Sequence, residues 1–152
     1  MEEIAVRKCR KEDLGEVLRL LNELSEAAGG WDNPQSMELE TLHAHMERYP
    51  EIYWNVIAET GGKAAGFLSA IFYKTFFHHG GTALINELVV GRDFRGKGIG
   101  TALMEAAKKE ALERGMDEVE VGTEKANTAA QRFYKGCGLS EEYVLLGMEF
   151  ED

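Results

Sequence analysis

Residues 95–100 have the composition of a turn that binds a phosphate group. Three glycines occur within five residues of the run Arg95-Gly96-Lys97-Gly98-Ile99-Gly100. The apolar residues 83–90 before the turn predict a buried strand, and the apolar residues after it recur at helical spacing. Glycine lets backbone N–H groups approach a bulky ligand, and the start of a helix carries unpaired N–H groups and about half a positive charge. Strand, turn and helix together predict a phosphate cradle.

Two nucleotide-binding motifs compete for this turn, and each fails at one position. Residues 91–98 follow the Walker A pattern until the last position, where Gly98 replaces the Ser or Thr that binds magnesium. The dinucleotide-binding fingerprint requires a small third residue, but Leu103 occupies that position, and the turn lies too late in the chain for an opening βαβ unit. The sequence therefore disfavours both a P-loop NTPase and a dinucleotide-binding fold.

A second motif follows at residues 127–139. Asn127 and Tyr134 are seven residues apart, which is nearly two turns of a helix, so on one helix they face one ligand. Gly138-Leu139 follows them as the expected start of a strand. Arg95-x-x-Gly98-x-Gly100 after a strand, together with this second motif, closely resembles the two motifs of the GNAT N-acetyltransferase superfamily.

The resemblance implies a binding site for acetyl-CoA. The backbone amides of the turn would hold the pyrophosphate, and the end of the preceding strand would contact the pantetheine arm. A backbone N–H near Val89 or Val90 would polarise the acetyl carbonyl, where a bulge splays the strand from its neighbour. The cofactor-binding residues implied in this way are Leu88, Val89, Val90, Arg95, Gly96, Lys97, Gly98, Ile99, Gly100, Thr101, Asn127 and Tyr134.

The resemblance also implies acid–base roles. Tyr134 matches the general acid that protonates the departing CoA sulfur, and a phenol with a pKa near 10 is protonated at neutral pH. An attacking alkyl ammonium must first lose a proton, and Glu87 is the best-placed carboxylate to accept it, directly or through water. Glu124 is an alternative base, and members of the family can act without a dedicated one. Glu87 has the further alternative of a hydrogen bond that orients the strand.

The acceptor is expected to be a primary amine of a small molecule or peptide. Polyamines, amino acids, antibiotic amines and protein N-termini all remain open. Candidate substrate contacts are Trp31, in a helix-loop-helix region that forms a wall of the acceptor pocket in the family, His78 and Glu124. His78 and His79 are adjacent, so their side chains diverge, and the neighbouring sequence offers no carboxylate or thiol to complete a ligand set. No metal is expected.

The elements that position these residues follow the order β-α-α-β-β-β-α-β-α-β-β. The resemblance implies the α/β (α+β) GNAT-like acyl-CoA N-acyltransferase fold, a mixed, strongly twisted sheet with helices on both faces. Ile4–Lys8 is the expected first strand, and Gly61-Gly62 predicts a hairpin between two longer strands. Residues 144–150 alternate in polarity and predict a final strand.

Length and composition predict a single domain, residues 1–152, and the resemblance implies that it is an N-acetyltransferase domain. With 27 acidic and 17 basic residues the formal charge is −10, which disfavours nucleic-acid or anionic-membrane partners and would attract amines. The first residues lack signal-peptide character and no apolar run approaches the roughly 18 residues of a membrane span, so we expect a cytoplasmic protein with Cys9 and Cys137 as free thiols. The strand-like C-terminus and family habit favour a homodimer.

A non-catalytic CoA-binding regulatory module on the same fold is the alternative to an enzyme. Such a module would keep the glycine turn but tend to lose the general acid. The presence of Tyr134 favours the enzyme.

Overall fold

A five-stranded mixed sheet forms the centre of the computed structural model, which describes residues 2–27 and 35–151. The strands lie in chain order, the first four pair antiparallel, and the fifth runs parallel to the fourth. The predicted mixed sheet is therefore confirmed. The strands are β1 (Ile4–Lys8), β2 (Tyr53–Thr60), β3 (Lys63–Tyr73), β4 (Thr82–Val90) and β5 (Glu118–Val121).

Helices cover both faces of this sheet, as predicted. Alternate residues of the strands face opposite sides, so Ile57 and Phe67 join one apolar cluster while Val56 and Leu68 join another. The first, here called the α1-side cluster, includes Val17 and Leu20; the second, the α3-side cluster, includes Ile99, Leu103 and Met104. The helices are α1 (Leu14–Ala27), α2 (Ser36–Glu47), α3 (Ile99–Glu113) and α4 (Thr128–Gly136). Short 3-10 turns precede α1 and the glycine turn, at Lys11–Asp13 and Arg92–Phe94.

The β2–β3 hairpin closes through the two glycines that predicted it. Gly61 and Gly62 have φ angles of 58° and 75°, and Thr60 pairs with Lys63 on either side of them. Both residues thus adopt the left-handed conformation that a two-residue hairpin turn requires and that glycine adopts without steric cost.

One extra residue interrupts β4. Ser69 of β3 pairs with Glu87, whereas its neighbour Ala70 pairs with Ile85, so Asn86 is a bulge without a partner in β3. Side chains alternate along a strand, and the extra residue shifts that alternation by one. Ile85 therefore faces α3, while Val89 belongs to the α1-side cluster. The pairing of β4 with β5 also ends here, at Ile85 and Val121.

The predicted final strand is absent. No residue in the described segment 139–151 is in a strand, and the side chains of Val144, Leu146 and Phe150 are 86%, 87% and 88% exposed. The predicted element order is wrong in its last two strands because alternation in polarity describes a chain that is able to form a strand, whereas a strand also needs an edge to pair with. In the described part of the chain, no helix is long and apolar enough to span a membrane.

Replacing Gly66 with Ala should lower the free energy of unfolding by about 1 to 3 kcal/mol. A Cβ at Gly66 would lie 2.8 Å from Ile99 Cγ2 and 3.0 Å from both Leu103 Cδ1 and Val89 O, so α3 would have to move off the sheet. Gly15 in α1 is the matched control, because a Cβ there would meet no atom within 4 Å. We expect Gly15→Ala to be neutral or stabilising by up to about 1 kcal/mol. Urea unfolding of both variants measures the difference, and equal effects would contradict the close packing of α3.

Candidate active site

The glycine turn joins β4 to α3 in a conformation that two of its glycines make possible. Gly96 and Gly98 have φ angles of 75° and 83°, and Gly98 is the N-cap of α3. A Cβ at Gly96 would meet no atom within 4 Å, and one at Gly98 would meet only Ile4 Cδ1, at 3.9 Å. The surface of the turn is thus open, and the first N–H groups of α3 have no acceptor within their own helix. Arg95 and Lys97 are exposed beside it. A phosphate group fits this open, cationic turn.

Gly100 is required for a different reason. A Cβ there would lie 3.0 Å from Phe133 Cζ and 3.6 Å from Val90 Cγ2. The small residue therefore lets α4 and the end of β4 pack against the first turn of α3. This contact brings three predicted parts of the site together, namely the turn, the end of β4 and the helix that carries Tyr134.

The end of β4 has one free edge. Beyond Ile85, no described residue of β5 pairs with β4, so the backbone of residues 87–90 is unpaired on that side. The side chain of Val89 is only 3% exposed, and Leu88 and Val90 pack against the α3-side cluster. These residues therefore offer a ligand mainly their backbone groups, which suit an extended, amide-containing arm.

Tyr134 lies in α4 next to Phe133, with 5.3 Å between the ring centroids. Burial raises the pKa of Tyr134 to about 12, with a smaller contribution from Cys137, so the phenol keeps its proton at neutral pH. Asn127 is not inside the helix, which begins at Thr128; it is the N-cap, and its Oδ1 accepts a hydrogen bond from Ala130 N at 3.0 Å.

Glu87 lies on the opposite face of β4 from Ile85 because of the bulge at Asn86. Its side chain is partly buried. Burial raises the pKa of the Glu87 carboxyl, and a hydrogen bond with Ser69 opposes that rise. A carboxylate that binds a proton more tightly than usual is a stronger base, and it is ionised only at pH values above its raised pKa.

Several polar groups on the face of Glu87 were not predicted from the sequence. Ser69 Oγ donates to Asn55 Oδ1 at 2.6 Å. On β5, Glu118 Oε1 accepts from Thr82 Oγ1 at 3.1 Å, and Glu120 accepts from the Tyr73 hydroxyl. The alternation of residues in β3 could have indicated this polar face. Ser69 and Tyr73 alternate with the apolar residues Leu68, Ala70 and Phe72 and therefore point to the opposite face of the sheet.

The predicted substrate contacts lie apart from one another. Trp31 lies outside the described residues. His78 Nδ1 lies 3.7 Å from Asp117 Oδ2, and His78 Nε2 lies 3.7 Å from Glu118 Oε1. These two carboxylates are far from His78 in the sequence and were not predicted as its neighbours. These groups lie where β4 and β5 begin, about 25 Å along the strand from the glycine turn. Glu124 is exposed in the β5–α4 connection, and its carbonyl accepts from Asn127 N at 2.9 Å.

Comparison with known proteins decides the family. The sequence profile of the Acetyltransferase (GNAT) family matches residues 17–139. The chain belongs to this family. An uncharacterized N-acetyltransferase of Methanocaldococcus jannaschii is 37% identical over 92 residues, which are 60% of this chain and 41% of that protein. An uncharacterized N-acetyltransferase of Archaeoglobus fulgidus is 39% identical over 80 residues, 52% of this chain and 54% of that protein. The matches thus span about half the length of these relatives.

One further relative and several solved structures match most of this chain. Thialysine N-epsilon-acetyltransferase of Bos taurus is 24% identical over 91% of this chain and 85% of its own. Glucosamine-6-phosphate N-acetyltransferase of Arabidopsis thaliana superposes with a TM-score of 0.82 at 22% identity, over 99% of this chain and all of its own. A transcriptional regulator of Bacillus halodurans superposes at 0.85, with 23% identity, over 97% of this chain and 100% of its own. Aminoglycoside N-acetyltransferase AAC(6')-Iy in complex with CoA superposes at 0.81, with 19% identity, over 98% and 96%. These structures share the fold, so the predicted GNAT-like fold is confirmed.

Proposed function

We propose that the chain is an N-acetyltransferase that moves an acetyl group from acetyl-CoA to a primary amine by direct attack within a ternary complex. The observation that carries this proposal is the convergence of the open glycine turn, the unpaired end of β4 and the protonated Tyr134 around the contact between Gly100 and Phe133. Each of the three serves a separate requirement of acyl transfer.

The turn and the end of β4 would hold acetyl-CoA. The N–H groups of residues 96–101, with Arg95 and Lys97 beside them, suit a pyrophosphate, and the unpaired backbone of Leu88, Val89 and Val90 suits the amides of the pantetheine arm. Asn127 is the N-cap of α4, the helix whose Phe133 packs against Gly100 of the turn. Bound acetyl-CoA supplies an activated acetyl group as a thioester. A CoA complex of the structural neighbour AAC(6')-Iy supports this assignment.

Two side chains would move protons. Glu87 accepts a proton from the acceptor ammonium, directly or through water, which frees the nitrogen lone pair. The new bond joins that nitrogen to the acetyl carbon, and the bond that breaks is the one between carbon and sulfur. Tyr134 donates its phenolic proton to the departing sulfur. The backbone N–H groups near Val89 and Val90 would stabilise negative charge on the acetyl oxygen.

The acceptor would reach Glu87 from the α1 side of the sheet. Glu118 and Glu120 lie on that face with Glu87, because they pair with Thr82 and Leu84 rather than with the residues that face α3. Carboxylates on this face favour a cationic acceptor, a primary amine of a small molecule or peptide. The amine acceptor named for the bovine relative supports the same class.

A CoA-binding regulatory module without catalysis is the second candidate. It is favoured by one observation, the fold shared with a protein described as a transcriptional regulator. The presence of the partly buried, protonated Tyr134 in α4, the helix that packs against the turn, favours the enzyme. Consumption of acetyl-CoA with a panel of amines, followed by the mass of the product, separates the two functions.

Gly98→Ala should weaken acetyl-CoA binding about 10-fold or more, since the added methyl group separates the pyrophosphate from the helix N–H groups. Gly115 is the matched control, because its φ of 76° is close to that of Gly98 and a Cβ there would meet no atom within 4 Å, while one at Gly98 would meet only Ile4 Cδ1, at 3.9 Å. Both substitutions should cost similar stability, about 1 kcal/mol. Calorimetric titration with acetyl-CoA tests the site, and equal affinity in the two variants would place it elsewhere.

Tyr134→Phe should lower kcat by roughly 10- to 10⁴-fold with little change in acetyl-CoA affinity, because the ring remains and only the acidic hydroxyl is lost. Tyr143→Phe is the control: its hydroxyl bonds Glu118 and Glu141 on an exposed side chain. The measurement is steady-state kinetics with the amine that the wild-type protein acetylates, under conditions in which the chemical step limits the rate. Wild-type turnover in a folded Tyr134→Phe protein would remove the acid role.

The proposed enzyme would act as a homodimer. Residues 143–150 are exposed and alternate in polarity, and β5 has one edge without a strand partner in the described chain. Addition of a strand to a free edge satisfies backbone hydrogen bonds and buries such side chains. Contacts of the tail with its own β5 are sparse: Tyr143 OH lies 3.1 Å from Glu118 Oε2, and a Cβ at Gly122 would lie 3.8 Å from Leu145 Cδ2.

We expect the protein to have twice its chain mass of 17.0 kDa in light scattering. Removing residues 141–152 should yield a monomer, because the apolar tail and the pairing that it provides are both lost. A folded truncated chain that remains dimeric would show that the interface lies elsewhere. A mass of one chain over a wide concentration range would dispose of the dimer.

A further inference from the structure

A polar row crosses the sheet at the position of Glu87. Cys9, the residue after β1, donates from its N to Asn55 O at 2.9 Å. Asn55 pairs with Ser69, and Ser69 pairs with Glu87, so the four residues lie side by side across the sheet. Residues that pair directly across a sheet project from the same face. The row faces the helix pair α1 and α2, and Met46 of α2 contacts it, because Asn55 Nδ2 donates to Met46 Sδ at 3.3 Å.

The side chains of this row form a directed chain of hydrogen bonds. A serine hydroxyl carries one hydrogen, and Ser69 donates it to Asn55 Oδ1 at 2.6 Å. Ser69 also pairs directly with Glu87 across the sheet, and a hydrogen bond from its hydroxyl group to the carboxylate lowers the pKa of Glu87. The hydrogen that Ser69 gives to Asn55 is therefore withheld from the Glu87 carboxylate.

The sulfur of Met46 fixes the direction of the chain. A thioether accepts hydrogen bonds and donates none, so the Asn55 amide keeps Nδ2 toward Met46 and Oδ1 toward Ser69. When Glu87 ionises, Ser69 has to turn its hydrogen from Asn55 to the carboxylate. Asn55 Oδ1 then loses its donor beside Ser69, a residue that is only 4% exposed, and an acceptor left unpaired in a buried place is unfavourable.

We infer that Asn55 and Ser69 are positioning residues that control the protonation of Glu87, with Asn55 competing against the Glu87 carboxylate for the one hydrogen of Ser69. The inference rests on the proposed function in its use of Glu87 as the general base. The basicity of Glu87 then depends on the side-chain amide of Asn55, which lies one strand beyond Ser69, the direct neighbour of Glu87.

Other titratable groups do not account for the same behaviour. Burial is the main cause of the raised pKa of Glu87, Ser69 is the opposing one, and no charged residue contributes. Tyr73, whose pKa burial and Glu120 raise to about 12, is neutral at the relevant pH. The titratable groups on this side of the sheet include Arg7 of β1 with its partners Asp13 and Glu59, Cys9, Tyr53 of β2, Tyr73 of β3, Glu118 and Glu120 of β5, and His43, His45 and Glu47 of α2.

The decisive variant is Asn55→Leu, which removes the competitor and leaves the Ser69 hydrogen to the carboxylate. We expect the midpoint of the Glu87 titration to fall by about one pH unit, the value of one hydrogen bond to a charged group. A merely structural role predicts no fall, because a leucine on the same face, beyond Ser69, makes the surroundings of the carboxyl group less polar and leaves its pKa unchanged or raised. The direction in which the midpoint of the Glu87 titration moves in Asn55→Leu distinguishes the two roles, even if further variants fold poorly.

A double-mutant cycle tests the route of the coupling. In a Ser69→Ala background, Asn55→Leu should no longer shift the midpoint, whereas in a Ser69→Thr background, which keeps the hydroxyl, the shift should return. Thr82→Val is the matched control, since it removes a buried hydroxyl that bonds a different carboxylate, Glu118. The effect of Asn55→Leu should persist there. An unchanged or raised midpoint in Asn55→Leu, or an equal fall with and without the Ser69 hydroxyl, would overturn the inference.

Two readouts keep this inference separate from the proposed function. Carbon-13 NMR, with the Glu87 signal identified by its loss in Glu87→Gln, follows the carboxyl group itself in the whole protein without substrates. The acid limb of kcat/KM follows catalysis, which needs the ionised base and therefore declines as pH falls through the pKa of Glu87. If both move together, the chain of hydrogen bonds tunes the base. If the NMR midpoint falls in Asn55→Leu and the kinetic limb stays, the inference holds and Glu87 is not the base.

Discussion

The bulge at Asn86 is the constraint on which the rest of the site depends. One unpaired residue in β4 ends its pairing with β5 and reverses the alternation of the side chains that follow. Without it, Glu87 would share the face of Ile85 and point into the α3-side cluster, where a carboxylate would be unpaired among apolar groups. The bulge at Asn86 therefore leaves the end of β4 unpaired for the proposed acetyl-CoA. It also places Glu87, the candidate base, on the face of the sheet proposed for the amine acceptor.

Elements whose form depends on local chemistry were predictable from the sequence. The paired left-handed glycines at 61 and 62 define the hairpin, and Gly98 with the apolar stripe that follows defines the start of α3. The family and fold followed from two short motifs of fixed spacing. Gly100 was identified from the sequence as part of a motif, but the steric reason for a glycine there, the Phe133 ring, lies in a helix distant in sequence.

Features that depend on pairing between distant segments were not predicted from the sequence. Asn55, Ser69 and Glu87 are far apart in the chain, and their row exists only because of the registers of two hairpins and a bulge. His78 meets Asp117 and Glu118 for the same reason. The missing final strand is the converse case: residues 144–150 have the pattern of a strand but no edge of the described sheet has taken them up. Pattern specifies a face, while partner and register come from the whole fold.

The contact between Gly100 and Phe133 couples two parts of the site that chemistry uses separately. The glycine belongs to the turn proposed to hold the cosubstrate, and the phenylalanine precedes the tyrosine proposed to release the product thiol. Any side chain at position 100 would push α4 outward and carry the phenol with it. A larger residue at position 100 therefore also displaces Tyr134, the proposed proton donor. Substitutions in the turn that leave Tyr134 in place are restricted to its open positions, such as Gly96, where a Cβ would meet no atom within 4 Å. The position of the turn that is proposed to bind acetyl-CoA and the position of the Tyr134 hydroxyl group therefore depend on one packing contact.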